Sequence, residues 1–185
     1  RICACLGMLT EEEGRLLAEA GVDRYNHNLN TAESHHDEIV TTHTYEDRKK
    51  TIGAARHAGL SVCSGIIVGM GETTRQLVEV AFEVRDSGAD SIPVNFLLPV
   101  AGTTLGDRDP GLTPTFCLKV LAMFRFVCPD REIRVSAGRE THLKSLQPMA
   151  LYAANSLFVS DYLTEPGQDP GLDHGMIEDL GFTVV

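Results

Sequence analysis

The chain has no hydrophobic run approaching the ~20 residues that a membrane-spanning helix needs. It is also short of positive charge. Sixteen lysines and arginines face 26 aspartates and glutamates, a net charge of −10, which argues against a surface for the phosphate backbone of a nucleic acid. No two of its five cysteines are spaced CxxC. The odd count and irregular spacing do not form the framework of a disulfide-stapled secreted domain, and they point to reduced thiols and a cytoplasmic location. Neither HxH nor HExxH occurs, so the usual spacings of a zinc hydrolase are missing. Gly69-Met70-Gly71 lacks the following x-x-Gly of a dinucleotide fingerprint. No basic segment leads into an apolar stretch at the start, as a signal peptide would.

What is present is an alternation. Apolar residues make up 43% of the 185 and charged residues 23%, the balance of one globular domain with its own core. Short β-rich runs predict strands over Ile2–Leu6, Arg24–Leu29, Ser61–Val68, Ser91–Leu97, Ile133–Ala137 and Ser156–Val159. Longer stretches of helical spacing lie between or after them, over Thr10–Ala20, Tyr45–Ala58, Thr73–Ser87, Thr113–Val127, Leu143–Ala153 and Gly171–Asp179. Thr10 with Glu13 reads as a capping box, and Gly21, Gly59 and Gly88 read as helix stops. Repeated strand–helix units imply a parallel α/β sheet. Six in a row favour a TIM-type (β/α) barrel, with about six of its eight units present and residues 1–185 as a single domain.

Residues two apart in a strand share a face. On that rule Cys3 and Cys5 share a face, as do Asn26 and Asn28, with Asn30 continuing the parity. Cys63, Gly65 and Ile67 form another set, then Pro93 with Asn95, then Arg134 with Ser136 and Gly138. The opposite parity holds Ala4, Val62, Val94, Ile133 and Val135, apolar residues suited to a packing of helices. The polar parity therefore marks the lumen. Cysteine, asparagine and arginine in a lumen need partners, which a polar ligand or a cluster can supply. A lone strand cysteine is ordinarily a small core residue, and a lone asparagine can simply tie down a loop. His27 has the parity opposite to the asparagines. His35, His36 and His43 read as loop residues supporting the site.

Several long segments carry a resemblance. Tyr25-Asn26-His27-Asn28-Leu29-Asn30-Thr31, Ile39 to Arg48, Val62-Cys63-Ser64-Gly65-Ile66-Ile67-Val68-Gly69-Met70-Gly71-Glu72-Thr73, Ile92 to Leu97, Ile133 to Glu140, and Ala153 to Phe158 occur in order. Together they resemble the biotin synthases of the radical S-adenosylmethionine (SAM) superfamily over the whole chain. The resemblance implies a barrel enzyme that converts dethiobiotin to biotin. In it a [4Fe-4S] cluster cleaves SAM to a hydrogen-abstracting radical, and a [2Fe-2S] cluster donates the sulfur. It also implies that Cys3, Cys63 and Arg134 ligate the [2Fe-2S] cluster. Asn28, Asn30 and Ile67 would contact SAM, and Asn28 and Asn95 dethiobiotin. An electron donor such as flavodoxin or ferredoxin and a homodimer are implied as partners, with no nucleic acid and no membrane. Cys5 matches no family ligand. Asn30 stands where the family often has an acidic residue, and an amide accepts through only one oxygen where a carboxylate has two. Thr104 replaces a usual proline, and Ser160 a common glycine before Asp161-Tyr162.

The family's CxxxCxxC motif and its remaining [2Fe-2S] cysteine are expected upstream of Arg1, so the 185 residues read as strands three to eight of a barrel, inactive by themselves. The other readings are a non-catalytic split barrel, a radical SAM enzyme with another substrate, and a cluster-free barrel lyase. The two open sheet edges predict that these residues expressed alone are poorly soluble or oligomeric. Sedimentation and thermal unfolding check this, and a monomer with one sharp transition would contradict it.

Overall fold

The computed structural model describes residues 1–162 and 165–185. Thr10, Thr44 and Thr73 each open a helix with a reciprocal capping box: α1 (Glu11–Glu19), α3 (Tyr45–His57) and α4 (Thr74–Asp86), α2 being Glu33–Ile39. In the first, the Thr10 hydroxyl accepts from Glu13 N at 3.2 Å while the Glu13 carboxylate accepts from Thr10 N at 2.8 Å. Each such cap contributes about 1 kcal/mol and fixes where the chain leaves its strand. Pro114 in the first turn starts α5 (Pro114–Val127), where its missing N–H costs no helical bond.

The strands β1 (Cys3–Ala4), β2 (Arg24–Asn26), β3 (Ser61–Cys63), β4 (Ile66–Val68), β5 (Ser91–Phe96), β6 (Glu132–Val135) and β7 (Ser156–Leu157) form one parallel sheet. Their order is β1-β2-β3-β5-β6-β7, with β4 also paired to β5, and the sheet curves into a half-barrel. One face carries Ala4, Tyr25 and Val62 in one register row and Ile66, Val94 and Val135 in another. Tyr25, Val62, Ile92, Val94, Ile133 and Val135 are at most 2% exposed and pack with Val80, Val84, Leu121 and Phe124 of the helices. Each such side chain contributes about 1.5–3 kcal/mol by leaving water.

β3 and β4 are one strand interrupted at Ser64 and Gly65. The register is the same on both sides, Cys63 with Ser91 and Ile66 with Val94, so Gly65 lies opposite Pro93. Pro93 has no N–H to give, and a Cβ on Gly65 would sit 1.8 Å from the Pro93 carbonyl oxygen. The two backbones approach more closely than any side chain permits.

Other expectations are corrected. His35 and His36 are not in a loop; they are buried on α2, which no capping side chain announces. The helix expected over Leu143–Ala153 is three short pieces: α6 (Arg139–Leu143), a 3-10 turn (Lys144–Leu146) and α7 (Gln147–Ala150). Lys144 at φ 52° and Pro148 break it. Ser160 adopts φ 80°, the conformation that suits the glycine it replaces. The buried Arg139 clamps this region to α8 (Pro170–Asp179), its Nη2 2.7 Å from Asp173 and its Nη1 donating to Gln147 at 2.5 Å.

Gly65→Ala is expected to cost about 3 kcal/mol or more, because backbone must move. Gly53→Ala, inside α3 with nothing within 4 Å of the added Cβ, is expected to stabilise by about 0.5–1 kcal/mol. Urea unfolding of the pair checks both.

Candidate functional site

The other face of the sheet is polar, as strand parity requires. In-register partners place Cys3, Arg24 and Ser61 on one rung and Asn26, Cys63, Ser91 and Glu132 on the next, with Arg134 level with Pro93 and Ser156. A cleft of about 530 Å³ opens at this end, bordered by Cys3, Arg24, Ser61, Glu132 and Arg134. Cys3 is exposed at the sheet edge, whereas Cys63 is fully buried.

A hydrogen bond from Cys63 holds Cys3 down to about 7, helped by the charges of Arg24 and Arg134. The same hydrogen bond, and then burial, push Cys63 up. Arg134 Nε donates to Ser156 Oγ at 3.1 Å and its Nη2 to Glu132, while Nη1 makes no hydrogen bond among the described residues. Glu132 also accepts from Arg24 Nη1 at 3.3 Å and from Ser91 Oγ at 2.8 Å. Two thiols and a guanidinium with one free nitrogen, beside a polar cleft, suit a thiolate-bound iron centre. Among the described residues no three His, Cys, Asp or Glu side chains group to hold a metal by themselves. The donor set here is two cysteines and an arginine.

Asn28, Asn30, Ile67 and Asn95 lie further toward the carboxyl ends of the strands. Asn28 Oδ1 accepts from Gly65 N at 3.0 Å, on the edge of the strand turned away from Pro93. Asn30 sits at φ 70°, a left-handed conformation that asparagine tolerates better than most residues. Its N–H donates to Gly65 O and its carbonyl accepts from Ile67 N, so its side-chain amide is held toward no partner among the described residues. Ile67 is half-buried and in register with Asn95. Asn95 Nδ2 donates to Ile66 O at 3.0 Å and its Oδ1 accepts from Ala137 N at 3.3 Å. It therefore ties β4 to the end of β6, with one amide hydrogen to spare. The chain brings Cys3, Cys63 and Arg134 to the lower level of the polar face, over successive rungs, and the three asparagines with Ile67 to the upper level. Cys5 lies exposed past β1.

Arg48 was passed over in the sequence because it sits in a helix between Asp47 and Lys49 and reads as surface charge. It is 9% exposed, and its Nη1 donates to the Asn28 carbonyl at 2.8 Å. Beside it His27 is buried with Nε2 unpaired. Burial, with the charges of Arg48 and His43, holds His27 down to about 4 from 6.5. Below pH 6.5 the unfolded imidazole takes up a proton that the folded one refuses until about pH 4, so stability falls as pH falls through that window. The urea midpoint is expected to drop by roughly 1–2 kcal/mol equivalent between pH 7 and pH 5. His27→Gln should flatten that slope.

Comparison with known proteins fits this arrangement. The model of the Radical SAM superfamily matches residues 1–84, and that of the Biotin and Thiamin Synthesis associated domain matches residues 93–183. The chain is 58% identical over 184 residues to a biotin synthase of Halalkalibacterium halodurans, covering 100% of this chain and 55% of that protein. It is 59% identical over 185 residues to a biotin synthase of Bacillus mycoides, again covering 55% of it. The chain thus spans about half the length of the curated relatives it matches. The crystal structure of a methylornithine synthase shares the fold, with a TM-score of 0.82 at 20% identity, over 100% of this chain and 58% of that one. Two domain models that adjoin along one continuous sheet, and relatives of one name matched over the whole of this chain, agree: the chain is similar throughout its 185 residues to the biotin synthases, and its first 84 residues match the Radical SAM superfamily.

Proposed function

We propose that this chain is the sulfur-inserting part of a biotin synthase, acting on dethiobiotin and SAM as one barrel domain over residues 1–185. The observation that carries the reading is the convergence of Cys3, Cys63 and Arg134 on one polar face beside a cleft. When bound there, a [2Fe-2S] cluster would supply the sulfur, and a [4Fe-4S] cluster with SAM the hydrogen-abstracting radical. The chain contains no CxxxCxxC and so does not itself offer the [4Fe-4S] thiolates.

Cys3 and Cys63 would hold iron as thiolates, a form that the Arg134 guanidinium favours at both and Arg24 at Cys3. Arg134 offers Nη1 as a third donor. Asn28, fixed by Gly65 and Arg48, presents an amide to SAM and substrate. Asn30 and Ile67 complete the SAM surface, and Asn95 turns its spare amide hydrogen to dethiobiotin. A flavodoxin or ferredoxin would deliver electrons, and two copies would pair in a cytoplasmic homodimer.

The test uses protein made from the complete reading frame, reconstituted with iron and sulfide, with biotin and 5′-deoxyadenosine measured in parallel. Cys63→Ala is expected to abolish biotin while part of the 5′-deoxyadenosine persists. Arg134→Ala should lower biotin roughly 10-fold, as for a weak or supporting ligand. Biotin at wild-type yield from Cys63→Ala would make Cys63 a core residue and remove the assignment.

A further inference from the structure

On the strength of the reading just given, we infer that Glu132 is the positioning residue that decides which nitrogen of Arg134 faces the cluster. A guanidinium is flat, with donors in fixed directions. The edge of Arg134 formed by Nε and Nη2 is filled: Nε by Ser156 Oγ at 3.1 Å and Nη2 by the Glu132 carboxylate. Nη1 is left as the donor without a partner among the described residues. Glu132 precedes Arg134 by two residues on β6, so both side chains leave the strand on the same face.

Glu132 is itself held from two other strands. Ser91 Oγ on β5 donates to it at 2.8 Å, and Arg24 Nη1 on β2 reaches it at 3.3 Å from across the concave face. Arg24 is steadied by Ser61 Oγ on β3 at 3.2 Å. The side chains of Arg24, Glu132 and Arg134 are only 19%, 28% and 23% exposed. The Glu132 carboxylate lies between the two guanidinium groups and leaves this floor with one excess positive charge; replacing it by a neutral side chain would leave two, and like charges in so confined a space push the guanidinium groups apart. Ser156 alone, a single neutral acceptor, cannot fix the plane of Arg134. Glu132 thus acts through Arg134 and also sets the local field, while Arg24 offsets its charge.

The test uses the reconstituted full-length protein carrying ¹⁵N-arginine. The reduction potential of its [2Fe-2S] cluster is measured, together with the nitrogen hyperfine coupling of the reduced cluster. Glu132→Gln keeps shape and removes charge. It is expected to assemble the cluster, shift the potential positive, and weaken or lose the nitrogen coupling. Arg24→Gln added to it should return the potential toward wild type without restoring the coupling. Should Glu132→Gln fail to fold, Arg24→Gln alone is expected to shift the potential negative with the coupling retained. An unchanged potential and coupling in Glu132→Gln, or an unchanged potential in Arg24→Gln, would overturn the role of Glu132. Cys63→Ala separates the two levels: if it assembles the same cluster, or if the wild-type protein shows no nitrogen coupling, the ligand assignment itself falls.

Discussion

The close approach of Gly65 to the Pro93 carbonyl is the contact around which the concave face is arranged. Proline offers no donor to the ladder and glycine no side chain, so the two backbones can close on each other there. On its other edge the Gly65 N–H donates to Asn28, its carbonyl takes the Asn30 N–H, and the next residues, Ile66 and Ile67, resume pairing with β5. One interruption thereby fixes two of the polar residues at the upper level, Asn28 and Asn30. It also keeps the register that puts Cys63 on the same face as Arg134.

The lower level is governed by charge rather than by backbone contact. Arg24, Glu132 and Arg134 sit mostly out of water, where leaving any one of them alone would be costly. Their network reaches from β2 to β7, through Ser61, Ser91 and Ser156. The short serines leave room for a cleft, where larger side chains would have filled it. The apolar face behind the sheet supplies stability and tolerates exchange among aliphatic residues. The polar face has no such freedom, because each donor there is matched to a particular acceptor.

The strand–helix order, the parallel sheet and the two faces were legible in the sequence because they rest on period and sign alone: Cys63, Asn95 and Arg134 fall where two-residue alternation puts them. The long motifs around Asn28 and Gly65 added the family. Less legible were features that depend on contact. α2 has no capping residue, so its polar run looked like a loop. Arg48 carried no signal of its own in the sequence, and its hold on the Asn28 carbonyl emerges only from the structure. Glu132 was hidden because a single carboxylate at a strand start carries no pattern; its importance comes from Arg24, 108 residues away. Asn95 was read as a ligand contact, and its bonds to Ile66 and Ala137 add a bracing task that spacing does not reveal.

Neighbouring strands follow chain order around the sheet. Each unit can therefore dock on the one made before it, and the arc can grow as the chain emerges during synthesis. The Arg24–Glu132 pair is the exception, since it closes a loop of 108 positions and waits for β6. Cys63 can settle into its place on β3 well before Arg134 has been translated. The thiols are thus assembled first and the cation that faces them last; under the function proposed above, that order of birth would keep the donor set incomplete, and metal loading late, until the sheet has taken its full curvature.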